Sequence, residues 1–333
     1  MKLYFKNFVL LCLILLQISL VAAEESECEM EAESDENKSL ALRLKIGAIF
    51  AIVFASFVGV MIPIIGQSYP WLQPESNLFY ILKAFAGGVL LAVGLIHILP
   101  ESFERLGSPC LPEKPWHLFN FAGFIAMLSA ILTLMVDSFA TGYLNRPNPN
   151  LNRAVVGIPN NNNDQEALNA PQELNRYRVI AQVLELGIVI HSIIIGIATG
   201  TSQSPSTIRP LIAALSFHQF FEGIGLGGCI VQARLRLSST AMMALFFTIT
   251  TSLGIIIGIG IASSYNGNNV TTLIVEGVLD SAAAGILIYM ALVDLLAADF
   301  MSEKVQNSRT LQIGVNISVL LGAAGMSIIA KWA

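Results

Sequence analysis

Histidine and glutamate side chains recur in two neighbouring apolar segments, residues 185–200 (ELGIVIHSIIIGIATG) and 215–228 (LSFHQFFEGIGLGG). His218 and Glu222 are four residues apart, so both project from one face if the segment is helical. His191 lies in the preceding segment. Imidazole and carboxylate groups are ligands that divalent transition metals accept, and burying them in an apolar medium is unfavourable unless they are paired or bound. The pattern predicts a metal site between two membrane helices.

Uncharged polar residues directly follow the two histidines: Ser192 follows His191, and Gln219 follows His218. The Ser192 hydroxyl can add an oxygen ligand or hydrogen-bond to its own helix. A lone histidine in a helix is usually a satisfied core residue. Here a second histidine and an acid on the next helix favour metal ligation, and we place Ser192 and Gln219 in the same site.

Ionisable residues also occur in two other apolar segments. In GLIHILPESFERL, His97 and Glu101 are four apart and Pro100 interrupts the helix. They form either a secondary metal site near one mouth of the path or an interfacial histidine beside a solvated acid. Asp137, in LMVDSFATGYL, either lines the ion path or is a carboxylate at a helix end that accepts a hydrogen bond from the hydroxyl of Ser138 or Thr141.

The composition of the 333-residue chain indicates where these segments lie. Hydrophobic residues make up 54%, charged residues only 12%, and the mean hydropathy is +0.68, whereas a soluble domain has about 25% charged residues. We therefore predict an all-α membrane protein with eight transmembrane helices, each near the length that a bilayer requires. The predicted helices, numbered 1 to 8, cover residues 44–66, 78–99, 118–143, 179–202, 210–231, 239–263, 273–297 and 313–332.

Composition shifts divide the chain into five parts. Residues 1–23 read as a cleavable signal peptide, with lysines before an apolar run and Val21-Ala22-Ala23 as the cleavage site; the alternative is an uncleaved first membrane helix. Residues 24–43 form an acidic extracellular tail. Helices 1–3 occupy 44–143, a flexible cytosolic loop rich in Asn and Pro occupies 144–178, and helices 4–8 occupy 179–333.

Lysine and arginine in the loops favour a mature N-terminus outside the cytosol. Two glycosylation sequons, at Asn37 and Asn269, then also fall outside. Lys38, Arg43 and Lys45, near the mature N-terminus, also fall outside and reduce this excess of basic residues on the inside. The inside loops hold eight basic residues (Arg146, Arg153, Arg176, Arg178, Arg234, Arg236, Lys304, Arg309), and the outside loops and C-terminus hold four (Arg105, Lys114, Arg209, Lys331).

The four cysteines exclude one kind of metal site. Cys28 and Cys110 share the oxidising side in this orientation and can form a disulfide, whereas Cys229 lies in an apolar helix. The absence of a C-x-x-C pair excludes a thiolate zinc knuckle.

Other function classes lack their signatures. The acid concentrated between Glu24 and Glu36 gives no basic surface for nucleic acid. Neither H-E-x-x-H nor a G-x-S-x-G nucleophile elbow is present, which argues against an intramembrane hydrolase. A membrane metal sensor or receptor without transport, and a transporter of protons or other ions through the same carboxylates, remain open alternatives. We expect no enzyme activity and no prosthetic group.

The segments HSIIIG, HQFFEGIGLG, AFAGGVLLAVGLIHILPESFERL and GILIYMALVDLLAADF resemble the ZIP family of divalent metal transporters, specifically its plant zinc and iron branch. The resemblance covers nearly the whole chain after the signal peptide. It implies an eight-helix bundle in the cell membrane with both termini outside, which moves zinc foremost, and also iron or manganese, into the cytosol by alternating access. It also implies a homodimer.

By the same resemblance, the transport site lies between helices 4 and 5. His191, His218 and Glu222 match ligand positions, and Ser192 and Gln219 match adjacent polar positions. Many relatives carry a carboxylate one turn after the helix 4 histidine, where this chain has Ile195, so one metal rather than two is expected. The loop between helices 3 and 4 also lacks the histidine-rich run of many relatives.

Overall fold

The computed structural model describes residues 35–74, 76–144, 162–262 and 270–331, with side chains for all of these except 35–37, 144 and 162–173. Several sequence predictions fall outside the described residues: the signal peptide 1–23, most of the acidic tail, Cys28, the Asn37 side chain and Asn269.

Within the described ranges the chain is helical and contains no strand. The long helices, labelled in chain order, are α1 (Asp35–Gly66), α2 (Asn77–Leu106), α3 (Phe121–Leu144), α4 (Asn162–Thr201), α5 (Pro205–Gln232), α6 (Leu237–Ile261), α7 (Val270–Phe300) and α8 (Arg309–Ala330). Single-turn helices occur at Glu113–Trp116 and Glu303–Gln306. Each long helix overlaps the correspondingly numbered predicted helix.

Two long helices change their winding partway along. The stretch Val93–Ile98 of α2 and the stretch Met290–Ala297 of α7 are π-helical. His97 lies in the first stretch and Asp294 in the second. Such stretches hold more residues per turn than an α-helix and are frequent at functional sites, so they change which way the following side chains face.

Seven of the described helices are long and apolar enough to cross a bilayer, with spans of 22 to 31 residues. The helix that fails this test is α5, although it has 28 residues. Its buried His218, Gln219 and Glu222 lower the mean hydropathy of the segment. These three residues thus keep α5 below the apolarity that the other seven long helices reach in their membrane-crossing parts.

Helices α1 and α4 begin earlier than predicted, at Asp35 instead of 44 and at Asn162 instead of 179. The prediction used the apolar run, which marks bilayer depth. Leu, Ala, Glu and Gln in these two extensions are good helix formers, so the helix continues beyond the apolar run. Residues 162–178, predicted as loop, are helical; residues 145–161 lie outside the described ranges.

The long helices pack as two groups of four. In the site-bearing group (α1, α4, α5, α6), α1 packs along α5 and α4 along α6. A methyl group at Gly196 would collide with the backbone carbonyl of Thr251, and one at Gly223 with the backbone of Val60, so these glycines allow the close approach that small residues give in membranes. In the flanking group (α2, α3, α7, α8), α2 packs along α8 and α3 along α7.

The two groups meet through α2 and α5, where the rings of Phe85 and Phe221 lie 4.6 Å apart. In the apolar 18-residue segment of α2, 67% is buried inside the protein, whereas 17% and 22% is buried in the corresponding segments of α3 and α8. Helix α2 is therefore central, while α3 and α8 present most of their surface outward. Ionisable side chains of α2, α4, α5 and α7 consequently meet inside the bundle.

Candidate metal centre

His191 of α4 and His218 and Glu222 of α5, here called the triad, come together where α4 faces α5. Each offers a ligand atom, and these atoms all lie within 4.8 Å of one another. The two imidazole rings are 5.9 Å apart, centroid to centroid. All three side chains are completely or almost completely buried, with 0–1% exposure. Two imidazoles and a carboxylate form a three-ligand set that suits zinc and other divalent transition metals.

The polar atoms of the triad lack protein partners. Within the described structure, Nε2 of His191, Nε2 of His218 and both carboxylate oxygens of Glu222 are buried without a hydrogen bond. A buried polar group without a partner is rare and destabilises the fold by about 1–3 kcal/mol. Because these atoms are also the ones that can ligate, the arrangement fits a divalent cation bound among them.

Gln219 and Ser192 lie beside the triad and contact each other. The Gln219 amide nitrogen donates to the Thr251 hydroxyl at 3.0 Å and to the Ser192 hydroxyl at 3.4 Å. All three residues are buried, and Gln219 Oε1 has no partner among the described residues. The amide therefore connects α4, α5 and α6 next to the ligands. Thr251 was missed by the sequence analysis, since nothing in α6 distinguishes it from neighbouring threonines.

Ile195, one turn beyond His191, belongs to an apolar cluster with Ile52, Leu215 and Ile255. The described side chains thus place a hydrocarbon wall where a second carboxylate would have to stand. The triad contains one acid, Glu222.

His97 approaches the triad from the flanking group. It is buried, its ring centroid is 6.3 Å from that of His218, and its Nε2 has no partner among the described residues. Its other ring nitrogen, Nδ1, is 3.4 Å from Glu101 Oε1. His97 and Glu101 therefore form a second pair adjoining the triad, and the interfacial alternative does not describe this His97.

Glu101 also belongs to a charged cluster, called here the acidic mouth, which comprises Glu101, Arg105, Glu276 and Asp280. The Arg105 guanidinium lies 3.8 Å from Glu101 Oε2 and 3.2 Å from Asp280 Oδ2, and it forms an ion pair with Glu276. By sequence, Arg105 is only one of the basic residues predicted for the outside loops. Glu276 and Asp280 are four residues apart on α7, so the sequence predicts that they share a helix face. Their contact with Arg105 of α2 could not be predicted from spacing.

Asp137 lies apart from the triad. Its Oδ2 accepts a hydrogen bond of 2.9 Å from the Tyr289 hydroxyl of α7, not from the local hydroxyl groups that the sequence suggested. The bond connects α3 to α7 within the flanking group.

A further cluster, called here the lysine cluster, consists of the buried Lys83 and Asp299 and the half-buried Gln232. Lys83 is 1% exposed. Its ammonium group donates to Gln232 Oε1 at 2.6 Å and forms an ion pair with Asp299 Oδ1 at 3.0 Å. The cluster joins α2 and α7 of the flanking group to the end of α5.

The described cysteines differ in state. Cys110 is disulfide-bonded, and Cys28, the partner suggested by the sequence, lies outside the described residues. Cys229 is a buried free thiol in α5.

Comparison with known proteins finds a family model and several relatives that match the chain. The sequence model of the family described as ZIP Zinc transporter matches residues 42–330. Zinc transporter 5 of Oryza sativa subsp. japonica is 54% identical over 310 residues, which cover 88% of each chain. Zinc transporter 9 of the same species is 50% identical over 97% of this chain and 98% of its own. Fe(2+) transport protein 1 of Arabidopsis thaliana is 48% identical over 88% of this chain and 86% of its own.

The helices therefore belong to a multi-pass, all-helical membrane protein. The chain is a member of the ZIP family of metal transporters, which confirms the resemblance drawn from its motifs. Its class is that of a transporter and not of an enzyme, and metal ions are substrates of that class rather than prosthetic groups.

Proposed function

We propose that this chain carries divalent transition metal ions, zinc foremost, into the cytosol through the triad between α4 and α5. The observation that carries the proposal is the triad itself: three buried ligating side chains whose donor atoms lie within 4.8 Å of one another. Two neutral imidazoles and one carboxylate replace part of the ion's hydration shell. An all-thiolate site would instead be typical of structural zinc.

Zinc is the first expected substrate, with iron and manganese next. Relatives at 50–54% identity are named as zinc transporters, and one at 48% as an Fe(2+) transport protein. A His/Glu ligand set accepts several first-row divalent ions, so ligand identity alone does not select among them.

We further propose that α5 also crosses the membrane, which brings the number of membrane spans to eight. It has 28 residues, begins near the end of α4 and packs along α1 for much of its length. A polar helix of this kind is stable at membrane depth when its polar face points into the bundle, and His218, Gln219 and Glu222 are all buried. Access to the triad then alternates between the two sides as the site-bearing and flanking groups change their relative position.

Metal uptake tests the proposed site. Cells that express the chain should accumulate more radioactive zinc than cells that lack it. His191→Ala or Glu222→Ala should abolish this additional accumulation when the variant is present at the cell surface in the same amount. His117→Ala is the matched control, since His117 lies outside the triad and its ring contacts the Leu111 carbonyl at 3.3 Å. Unchanged zinc uptake in both triad variants would refute the site. Proteoliposomes containing purified protein and a panel of divalent ions would separate transport from binding alone.

The remaining sequence predictions concern processing and assembly. The cleaved signal peptide 1–23, glycosylation at Asn37 and Asn269, location in the plasma membrane and a homodimer are all proposals. N-terminal sequencing of the mature protein, glycosidase treatment of the single Asn→Gln variants, surface labelling and cross-linking in membranes test them in that order.

A further inference from the structure

The acidic mouth holds a permanent cation beside the proposed metal path. Arg105 contacts carboxylates of Glu101 on its own helix and of Glu276 and Asp280 on α7. A guanidinium stays protonated throughout the physiological pH range and presents five donors to carboxylates. The side chain is 24% exposed, while Glu276 and Asp280 are 14% and 8% exposed, so the cluster opens to the surface mainly around Arg105 and Glu101.

Glu101 links this cluster to the triad. One of its oxygens is 3.8 Å from Arg105, and the other is 3.4 Å from His97 Nδ1. The His97 ring is then 6.3 Å from that of His218, which is 5.9 Å from that of His191. His97 is buried and its Nε2 has no partner within the described structure. Potential metal-binding groups therefore form a continuous series from the acidic mouth to the triad.

We propose that Arg105 competes intramolecularly with the incoming metal ion for the carboxylates of the acidic mouth and thereby sets the apparent affinity of uptake. The inference rests on the proposed function, because it assumes that metal passes from this mouth to the triad. In their ionised forms, three carboxylates beside one guanidinium retain two negative charges, enough to attract a divalent ion. The ion must displace Arg105 from Glu101 before Glu101 and His97 can bind the ion together.

Replacing Arg105 separates this role from a structural one. Arg105→Met removes the competing charge, and the KM for zinc should fall about 3- to 10-fold, the range expected for one unit charge acting on a dication at about 6 Å in a largely aqueous dielectric. The KM should also depend more steeply on ionic strength, because the mouth becomes more negative. Arg105→Lys keeps the charge and should leave the KM within about twofold of the original value.

A double variant sharpens the test. Adding Glu276→Gln to Arg105→Met removes one negative charge together with the positive one, so the KM should return toward that of the unmodified chain. If Arg105 only held α2 against α7, Arg105→Met would lower the maximal rate or the surface amount without lowering the KM, and the second change would rescue nothing. Arg209→Met is the matched control, because Arg209 is an exposed arginine near the start of α5.

The assay measures zinc uptake in cells, with surface amount quantified for every variant and His191→Ala included throughout. If His191→Ala retains uptake, the proposed site fails, and this inference fails with it. If His191→Ala loses uptake but Arg105→Met has an unchanged or raised KM, only the role of Arg105 is overturned. An equal fall in KM for Arg209→Met would also overturn it, since the effect would then reflect general surface charge.

Discussion

Helix α5 contributes to two buried polar clusters, the triad through His218 and Glu222 and the lysine cluster through Gln232, about 15 Å further along the helix axis. In the lysine cluster, the ammonium group has a carboxylate at 3.0 Å and an amide oxygen at 2.6 Å. In the triad, both Glu222 oxygens and Nε2 of each histidine have no partner among the described residues.

The difference between these clusters separates structure from function. A buried charge that already has its counter-charge joins helices and needs nothing further, although one oxygen of Asp299 remains without a hydrogen bond. Buried donor atoms that converge on one point without partners remain unfavourable until a ligand binds. Depth alone would not distinguish the two, because Lys83 and Glu222 are equally inaccessible, at 1% and 0%.

The largest expected effect contrasts two buried acids. Glu222→Gln should reduce zinc uptake at least about 10-fold at equal surface amount, since even groups that only support metal ligands are worth about 10- to 100-fold. Asp299→Asn should leave uptake per surface molecule within about twofold, because Asp299 contacts Lys83 and not the triad. Uptake normalised to surface biotinylation measures both. Equal losses in the two variants would abolish the distinction.

Substitutions in the lysine cluster should instead change the stability of the protein. Lys83→Met leaves Asp299 buried without its counter-charge and should lower the free energy of unfolding by about 3–5 kcal/mol. Adding Asp299→Leu should recover most of the loss, because an apolar pair can replace a buried ion pair at little net cost. Thermal unfolding of the purified variants in detergent measures this, and a stable Lys83→Met protein would show that the ion pair contributes little.

Added zinc should stabilise the protein mainly through the triad, because the carboxylates of the acidic mouth already contact Arg105. At 100 times its Kd, a ligand that binds only the folded state contributes about 2.7 kcal/mol. Most of the zinc-induced rise in melting temperature should therefore be lost in Glu222→Gln and kept in His117→Ala. A shift that survives in Glu222→Gln would place the bound zinc elsewhere.

The smallest expected effect concerns the hydrogen bond beside the triad. Thr251→Val removes the acceptor at 3.0 Å from the Gln219 amide while preserving side-chain shape. A neutral hydrogen bond contributes about 0.5–1.5 kcal/mol, so the KM for zinc should change by about 2- to 10-fold with uptake retained. Complete loss of uptake would show that Thr251 is as necessary as a metal ligand. An unchanged KM would show that the hydrogen bond does not contribute to zinc binding.

The sequence predicted those features of the site that depend on spacing within one helix. His218 and Glu222 share a face because they are four residues apart, and the eight apolar runs located the helices. Contacts between distant helices could not be predicted in this way. Thr251 lies 32 residues from Gln219 and Asp299 lies 216 from Lys83, and no local pattern marks either pair.

Apolar runs also set limits on the prediction of helix ends. They predicted the membrane-spanning parts of α1 and α4 but not the first turns of these helices at Asp35 and Asn162. A helix continues beyond the bilayer wherever the local helix propensity allows it. The approach of His191 to His218 was predicted from ionisable residues on two neighbouring apolar segments, and the family resemblance implied the same. Residue spacing could not show it, since it depends on how α4 and α5 are packed.

The π-helical stretch Val93–Ile98 determines the rotational phase of α2. Because each residue of an α-helix turns the chain by about 100° and a π-helical residue turns it by less, these six residues turn α2 about as far as five α-helical residues would. The stretch thus accommodates about one additional residue, while Lys83 before it and Arg105 after it both contact α7.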